Sequence, residues 1–545
     1  MAFLMSEDSW LEELSLTQPQ APATAEQSDD FCQRFLQRLA KFHLGDTRLD
    51  LRLAKNLGRG LSLTTEYSGM GTAEEAMRQI TECLKQKLML ENENALLAEM
   101  EQAQWQSEHA TDNNKHCRCV LMHHDEPWRA QCLFGDLQER IPAFALQALE
   151  AKRKELLDTL GLGRKRKVSA ELSEAVVAHG RRFISSAVTM ICMNMEQRPK
   201  GHCYRRGESC YISPAGIPTA ALHLNCSGLN CYDWSTMGLG LKFLGESALP
   251  FAAWCASMKQ MVPDVIIAEC TQTFDFDHLR TLLQPEYPSE RSLELSISPH
   301  DLGEPLTRNR KYMLFLSQRC CWMVPGCDGS QEKDDTQQTL SSFFQQLFKH
   351  QEAVLAPCSK FRAPPETVQA HVRKLAQKNH LPPTTTSGRE WSYAQACTAA
   401  TRAMVQQHKE WVENHVRETK ISFDPYQWTT NLSQSPEHMH PNKGFVPALL
   451  RRSSLYLFGQ GRAAVPLEYL ECQGWNVFGE RGVSSLRRLD VSRTGAESAG
   501  QTRSLLACFE ALPQMVLQEL AGNGMHLHVI TAVVMFSLAC VAKED

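Results

Sequence analysis

Asn225-Cys226-Ser227-Gly228-Leu229-Asn230-Cys231-Tyr232-Asp233-Trp234-Ser235-Thr236-Met237-Gly238 is the stretch whose reading decides the fold. Residues 221–225 read as a strand that runs into a glycine-containing turn and delivers Cys231 onto a loop, with Asp233, Trp234, Ser235 and Gly238 close behind. A thiol at the carboxyl end of a strand is placed for nucleophilic chemistry, because clefts in α/β sheets open there. One cysteine among twenty is more often a small buried hydrophobe. The choice between these readings depends on what stands elsewhere in the chain.

Upstream, 61–66 reads as a strand leading into Tyr67-Ser68-Gly69-Met70-Gly71-Thr72, and a helix runs from about 73 to 102. Two more strands are expected at 105–111, followed by Asp112, and at 131–134, followed by Gly135-Asp136. Downstream, 264–268 is a largely apolar strand ending at Glu269, and 312–316 is a strand just after Arg308-Asn309-Arg310. Mostly apolar strands alternating with helices predict a parallel sheet covered on both faces. Small residues in the 67–71 turn let a ligand approach backbone, and the amides of the following helix favour a negative group. Asp136 stands where a carboxylate accepts from an adenine amino group; Asp112, or Glu108 before it, could accept from ribose hydroxyls. Taken singly, such acids more commonly cap turns or face solvent. Glu269 is an unusual strand-end residue unless it has a partner or a task. Taken alone, Arg308 and Arg310 read as a pair of surface arginines.

In this order the residues resemble the cytosine-5 DNA methyltransferase family. Tyr67-Ser68-Gly69-Met70-Gly71 is similar to its Phe-x-Gly-x-Gly motif, and Phe134-Gly135-Asp136 to its cofactor-pocket acid. Asn230-Cys231-Tyr232 resembles Pro-Cys-Gln, Ala268-Glu269-Cys270 stands where the family has Glu-Asn-Val, and Leu306-Thr307-Arg308-Asn309-Arg310 resembles Gln-x-Arg-x-Arg. Pro466-Leu467-Glu468 with Gln473-Gly474-Trp475, and Gly522-Asn523-Gly524-Met525, resemble the two closing motifs. Asn230 replaces a proline, Tyr232 a glutamine, Leu306 a glutamine, Cys270 an asparagine, and Thr72 a glycine. The resemblance covers about 58–322 and 445–542. It implies an α/β, Rossmann-like S-adenosylmethionine-dependent methyltransferase fold with an inserted, mainly helical target-recognition-like region. It further implies catalysis by Cys231, Glu269, Arg308 and Arg310, and binding of S-adenosyl-L-methionine through Tyr67, Ser68, Gly69, Gly71, Asp112, Asp136 and Asn523. The implied partner is DNA, with RNA possible because some members of the family methylate a tRNA cytosine; a catalytically inactive DNA- or cofactor-binding relative is the other alternative.

Composition sets the frame. The 545 residues are 43% hydrophobic and 22% charged, as in ordinary globular proteins. A net charge of −5 excludes a wholesale basic coat, so nucleic-acid contact must come from local patches such as 152–154, 164–167, 451–452 and 487–488. The scattered cysteines form no CxxC pair, and residues 1–14 lack a basic-then-apolar leader; both point to a reducing, intracellular setting, the nucleus if the source is eukaryotic. The apolar run 529–542 is short for a membrane span, so a buried helix and no membrane association are expected. Cys192, His202, Cys203 and Cys210 follow no standard ligand spacing, so no metal is expected. The expected division is a disordered acidic segment, 1–45; a cofactor-binding and catalytic domain, 46–322, with a helical insertion, 138–215; a target-recognition-like region, 323–445; and a C-terminal part, 446–545, completing the first domain.

Overall fold

The computed structural model describes residues 31–162, 167–196, 199–213, 220–235, 238–325, 327, 333–350, 356–383, 385, 389–450, 453–478 and 505–544. The segment 1–30, Arg164, Lys165 and Arg166, and the basic pairs at 451–452 and 487–488 lie outside the described residues. A seven-stranded sheet forms the centre: β1 Leu61–Glu66, β2 Trp105–Thr111, β3 Cys132–Phe134, β4 Leu222–Gly228, β5 Val265–Thr271, β6 Ser292–Ile297 and β7 Arg310–Leu316. Their order is β6-β7-β5-β4-β1-β2-β3. β1 pairs in parallel with β2 and with β4, β2 with β3, and β4 with β5. This doubly wound order is that of the Rossmann-like methyltransferase fold.

β1 and β5 are buried along their whole length, because helices cover both faces of the sheet. One face is closed by the helix Leu527–Cys540, in which every residue but His528 is buried, packed on the helices Leu49–Gly58 and Thr72–Leu90. The other carries Ala248–Met261 with Ala170–Asn194 against it. The apolar stretch Gln514–Cys540 has the length and hydropathy of a membrane span, but breaks at Gly524 into two helices and lies inside the protein.

The structure departs from the sequence reading in several places. The sheet is not wholly parallel: β7 runs antiparallel to β5 and β6. β6 was missed, although Leu293, Leu295 and Ile297 alternate with polar Glu294 and Ser296, the period of a strand. The helix expected at 73–102 is two, Thr72–Leu90 and Asn94–Gln102, broken where Asn92 takes a φ of 59°. Within the segment 1–45 expected to be disordered, the described residues include a helix, Phe31–Leu39. The helix Phe31–Leu39 buries Phe31, Phe35, Leu36 and Leu39, one helical face that an acidic, polar composition conceals.

The 138–215 insertion contains two long helices, Ala143–Thr159 and Ala170–Asn194, but ends in a β-hairpin, Lys200–Cys203 with Glu208–Tyr211. The expected boundary at 323 falls inside the main body. Cys320–Trp322 pairs with Val541–Lys543, and the helix Lys333–Phe348 packs against β6, burying Leu340, Phe344, Leu347 and Phe348. The smaller module has its own apolar clusters, around Val412, Trp428 and Tyr456 and around Val372 and Ala376. It holds the helices Pro365–Lys378 and Ala399–Thr419 and a four-stranded sheet that includes Trp428–Asn431, Leu455–Leu457 and Arg462–Ala463, and so runs past 445.

Candidate active site

Strand order fixes where a ligand cleft opens. The chain leaves β1 towards β2 on one side and β4 towards β5 on the other, so a crevice opens at the carboxyl ends of the neighbouring strands β1 and β4. The turn after β1 is 67–71, and the loop after β4 carries Cys231.

The turn is held in an unusual backbone shape, with φ of 50° at Tyr67, 58° at Gly69 and 78° at Gly71. Ser68 ties it to the end of β2: its hydroxyl accepts from the Thr111 N–H (3.0 Å) and donates to the Thr111 carbonyl (3.2 Å). The Gly69 N–H donates to Asp112 at 2.8 Å. A Cβ at Gly71 would lie 2.3 Å from Nε2 of His124, whose ring is itself buried and 2.8 Å from the Met70 carbonyl. Around the Cβ position of Gly69 nothing lies within 4 Å, so backbone is open to a ligand there.

Asp112 takes the N–H groups of both Gly69 and Asn114, each at 2.8 Å, and burial pushes its carboxyl up from its ordinary value. Half-buried Asp136 accepts from the Gln138 N–H at 2.9 Å, which leaves its second oxygen available. Glu108 lies within β2, short of its carboxyl end, and accepts from Ser62 and Gln106; of the two acids considered for ribose, only Asp112 sits at the crevice.

Cys231 is half-buried, and its carbonyl accepts from the N–H groups of Trp234 (3.0 Å) and Ser235 (2.8 Å). The Asn230 side chain accepts from the Tyr232 N–H at 3.0 Å, a local turn made where the resembled motif has a proline. Asp233 is buried and receives the Ser247 N–H (3.0 Å) and hydroxyl (2.6 Å), while Trp234 packs on Phe243 and Phe274 with ring centroids 4.8 and 4.7 Å away. Buried Asp233 and the aromatic packing of Trp234 thus fix the loop just after the thiol.

Glu269 lies inside β5, two residues before its end, opposite Gly228 of β4 and Tyr312 of β7. Nε of Arg310 stands 3.1 Å from its Oε1. Burial pushes the Glu269 carboxyl above the usual range, against the pull of Arg310 and Arg308. Burial also pushes the Cys231 thiol up, and Arg310 opposes that most strongly, with Glu269 and Arg308 also close enough to act on it. Cys231, Glu269 and Arg310 therefore share one electrostatic neighbourhood.

Arg308 is placed differently from expectation. It is buried, and its guanidinium donates to the carbonyls of Gly522 (3.0 Å) and Gly524 (2.9 Å). Burial and the Arg310 charge bring its pKa down to about 10. It clamps the C-terminal loop while staying close enough to Glu269 and Cys231 to act on both, as Arg310 does. Asn523, between the two clamped glycines, is exposed. That loop nevertheless reaches the glycine turn: the Met70 Cε atom is 3.2 Å from the Cβ position of Gly524, and Met525 Cγ is 3.5 Å from that of Gly228.

One part of the site escaped the sequence reading altogether. Glu66, the last residue of β1, is fully buried and takes a bidentate pair from Arg140 (2.9 Å to each oxygen) and a contact from His109 at 2.9 Å. Arg140 also donates to the Thr111 hydroxyl (2.7 Å) and the Ser257 hydroxyl (3.1 Å). Against burial, Arg140 and His109 hold the Glu66 carboxyl down at about 2. The network ties the ends of β1 and β2 together directly beneath the turn; a carboxylate at the end of a strand was the available signal.

The chain matches no protein-family profile and no curated protein sequence. Among solved structures it is similar to the Dnmt2 methyltransferase of S. pombe, at 12% identity over 87% of this chain and 97% of that one, with a TM-score of 0.36. It is also similar to the Entamoeba histolytica methyltransferase EhMeth (10% identity, 88% and 97% covered, TM-score 0.33). A third is a putative DNA modification methyltransferase encoded within a prophage of E. coli (11% identity, 88% and 98% covered, TM-score 0.33). The fold itself rests on the strand order described above.

Proposed function

We propose that this chain is an S-adenosylmethionine-dependent DNA (cytosine-5-)-methyltransferase that works through a covalent adduct on Cys231. The observation that carries the reading is the meeting of Cys231, Glu269 and Arg310 beside the switch-point crevice whose other wall is the 67–71 turn. The turn suits the cofactor: the space over Gly69 is open, and Asp136 keeps a carboxylate oxygen available. Tyr67, Ser68, Gly69, Gly71, Asp112 and Asp136 would hold S-adenosylmethionine, whose sulfonium supplies an electrophilic methyl group.

Carbon 5 of cytosine is too weak a nucleophile to take that group directly. Attack of the Cys231 thiolate at carbon 6 turns the ring into an enamine whose carbon 5 is nucleophilic; once carbon 5 is methylated, loss of its proton to solvent re-forms the ring double bond and expels the thiolate. Burial, which favours the neutral form of Glu269, lets that carboxyl donate to ring N3 as the adduct forms. Arg310 stabilises the thiolate and orients Glu269. The target base must leave its duplex to enter the crevice, at a cost of roughly a few kcal/mol. DNA as the partner and a nuclear setting, where the cell has a nucleus, follow from this reading.

The test is transfer of a labelled methyl group to DNA and RNA pools: transfer to cytosine in DNA is expected, abolished by Cys231→Ser. Undiminished transfer by that variant would sink the nucleophile assignment, and preference for RNA would move the substrate to tRNA. A second reading, an inactive cofactor-binding relative, is favoured by the raised thiol pKa and by Asn230 in the nucleophile loop. Cofactor binding without a covalent adduct on a 5-fluorocytosine oligonucleotide would select it.

A further inference from the structure

Away from the crevice, three thiols come together from distant parts of the chain. Cys132 opens the edge strand β3, and Cys203 and Cys210 lie on the two strands of the hairpin that packs against it. Their sulfurs all lie within 4.8 Å of one another, and all three residues are buried. Four-coordinate zinc with sulfur ligands at 2.3 Å sets neighbouring sulfurs about 3.8 Å apart, so these thiols need only small shifts to converge on one ion.

The backbone around Cys203 is arranged for a thiolate. Its sulfur receives the Leu133 N–H at 3.4 Å and is also approached by the N–H groups of Arg205 and Arg206. The chain folds back tightly after it: the Gly207 N–H bonds the Cys203 carbonyl at 2.8 Å, with Gly207 at a φ of 71°. Peptide N–H groups directed at a sulfur offset the negative charge that a metal-ligating thiolate carries. A purely apolar edge would favour branched or aromatic side chains, yet three of the five residues in this small cluster are cysteines.

We propose that Cys132, Cys203 and Cys210 bind a soft divalent cation of the zinc class. Among the described residues no fourth His, Cys or carboxylate joins the group, which leaves the remaining coordination position to water. Binding releases the thiol protons to solvent as the three metal–sulfur bonds form. The site replaces the four ligands considered from sequence. Cys203 and Cys210 belong to it, but exposed Cys192 lies on the helix Ala170–Asn194, and His202 turns its ring to Tyr204.

The ion would pin the hairpin to the sheet at a useful place. Tyr204 follows Cys203, and its N–H bonds the Leu133 carbonyl at 2.7 Å. The Tyr204 ring lies 3.0 Å from the Cβ position of Gly135, next to Asp136, and carries the Arg118 guanidinium 4.1 Å above it. Arg118 in turn donates to the Asp112 carbonyl at 2.8 Å. The hairpin thus buttresses both acids proposed to face the cofactor.

The experiment is metal analysis of the full chain purified under reducing conditions with zinc, combined with cobalt substitution. One metal per chain is expected, and the cobalt form should show thiolate-to-metal charge-transfer absorption. Both signals should be lost in Cys203→Ser/Cys210→Ser and kept in Cys508→Ser, which alters the other thiol cluster, Cys119, His123 and Cys508. Should the double variant fail to fold, alkylation of the native chain decides. Zinc should slow labelling of Cys132, Cys203 and Cys210 at least tenfold, and a chelator should restore it. Absence of stoichiometric metal, its retention in the double variant, unchanged alkylation, or a disulfide joining two of these cysteines would each overturn the proposal. None of these readouts depends on methyl transfer.

Discussion

In the proposed mechanism, Cys231 sets the pH behaviour to be expected of the reaction. Burial raises its pKa above the ordinary thiol value, so the reactive thiolate grows with pH, and the rate of adduct formation should rise steadily from neutral into alkaline solution. Arg310 is the main group opposing that rise. Arg310→Gln should therefore push the thiol further up and cost about 10- to 100-fold at neutral pH, with part of the loss recovered at higher pH. A pH–rate profile of the two proteins checks this; a parallel drop at every pH would remove Arg310 from control of the thiol. The Glu66 carboxyl is shifted the other way, downward. Its folded pKa of about 2 lies below the unfolded value of 4.5, so its contribution to stability is complete above about pH 5 and fades as pH falls towards 2. Glu66→Gln leaves Arg140 buried without its partner and should cost about 3 kcal/mol at pH 7. Denaturation midpoints should show that gap closing at acid pH.

At the scale of elements, the turn after β1 separates two roles that look alike in sequence. Gly71→Ala places a Cβ against the buried His124 ring and imposes a left-handed φ, so a stability loss of about 1–3 kcal/mol is expected. Gly69→Ala meets no neighbour, so only the φ cost of about 1 kcal/mol applies, but its methyl group intrudes on the open side. Thermal melts and cofactor titrations of the pair should diverge: Gly71→Ala melts lower, and Gly69→Ala binds S-adenosylmethionine more weakly for its stability. Arg308→Ala should loosen 522–524 and raise the KM for the methyl donor more than it lowers kcat; a pure kcat effect would return Arg308 to the base. The turn, the Cys231 loop and β5 were legible because each couples a strand-like run, alternating in β1 and β4 and continuously apolar in β5, to an abrupt change of chemistry. The role of Arg308 was not, since its partners are backbone carbonyls more than two hundred residues away.

Across the whole molecule, the C-terminal helix closes what the first strands begin. Leu527–Cys540 packs under the Thr72–Leu90 helix, and Phe536 meets Trp322 and Phe344 from segments two hundred residues earlier. Phe536→Ala should cost about 3–5 kcal/mol, measured by chemical denaturation, and should destabilise the whole catalytic domain, not only its C-terminal end. The sequence alone determined the α/β class, the strands leading to the glycine turn and to Cys231, the strand that carries Glu269, and the buried character of the C-terminal helix, because periodicity and burial are local properties. Tertiary structure decided the antiparallel strand, the true reach of the main body through Phe348, the Arg308 clamp on 522–524, the Glu66–Arg140 network and the meeting of Cys132 with Cys203 and Cys210. Each of these joins residues far apart in the chain, and no local pattern encodes a partner that only the packing of a sheet and its helices brings within hydrogen-bonding distance.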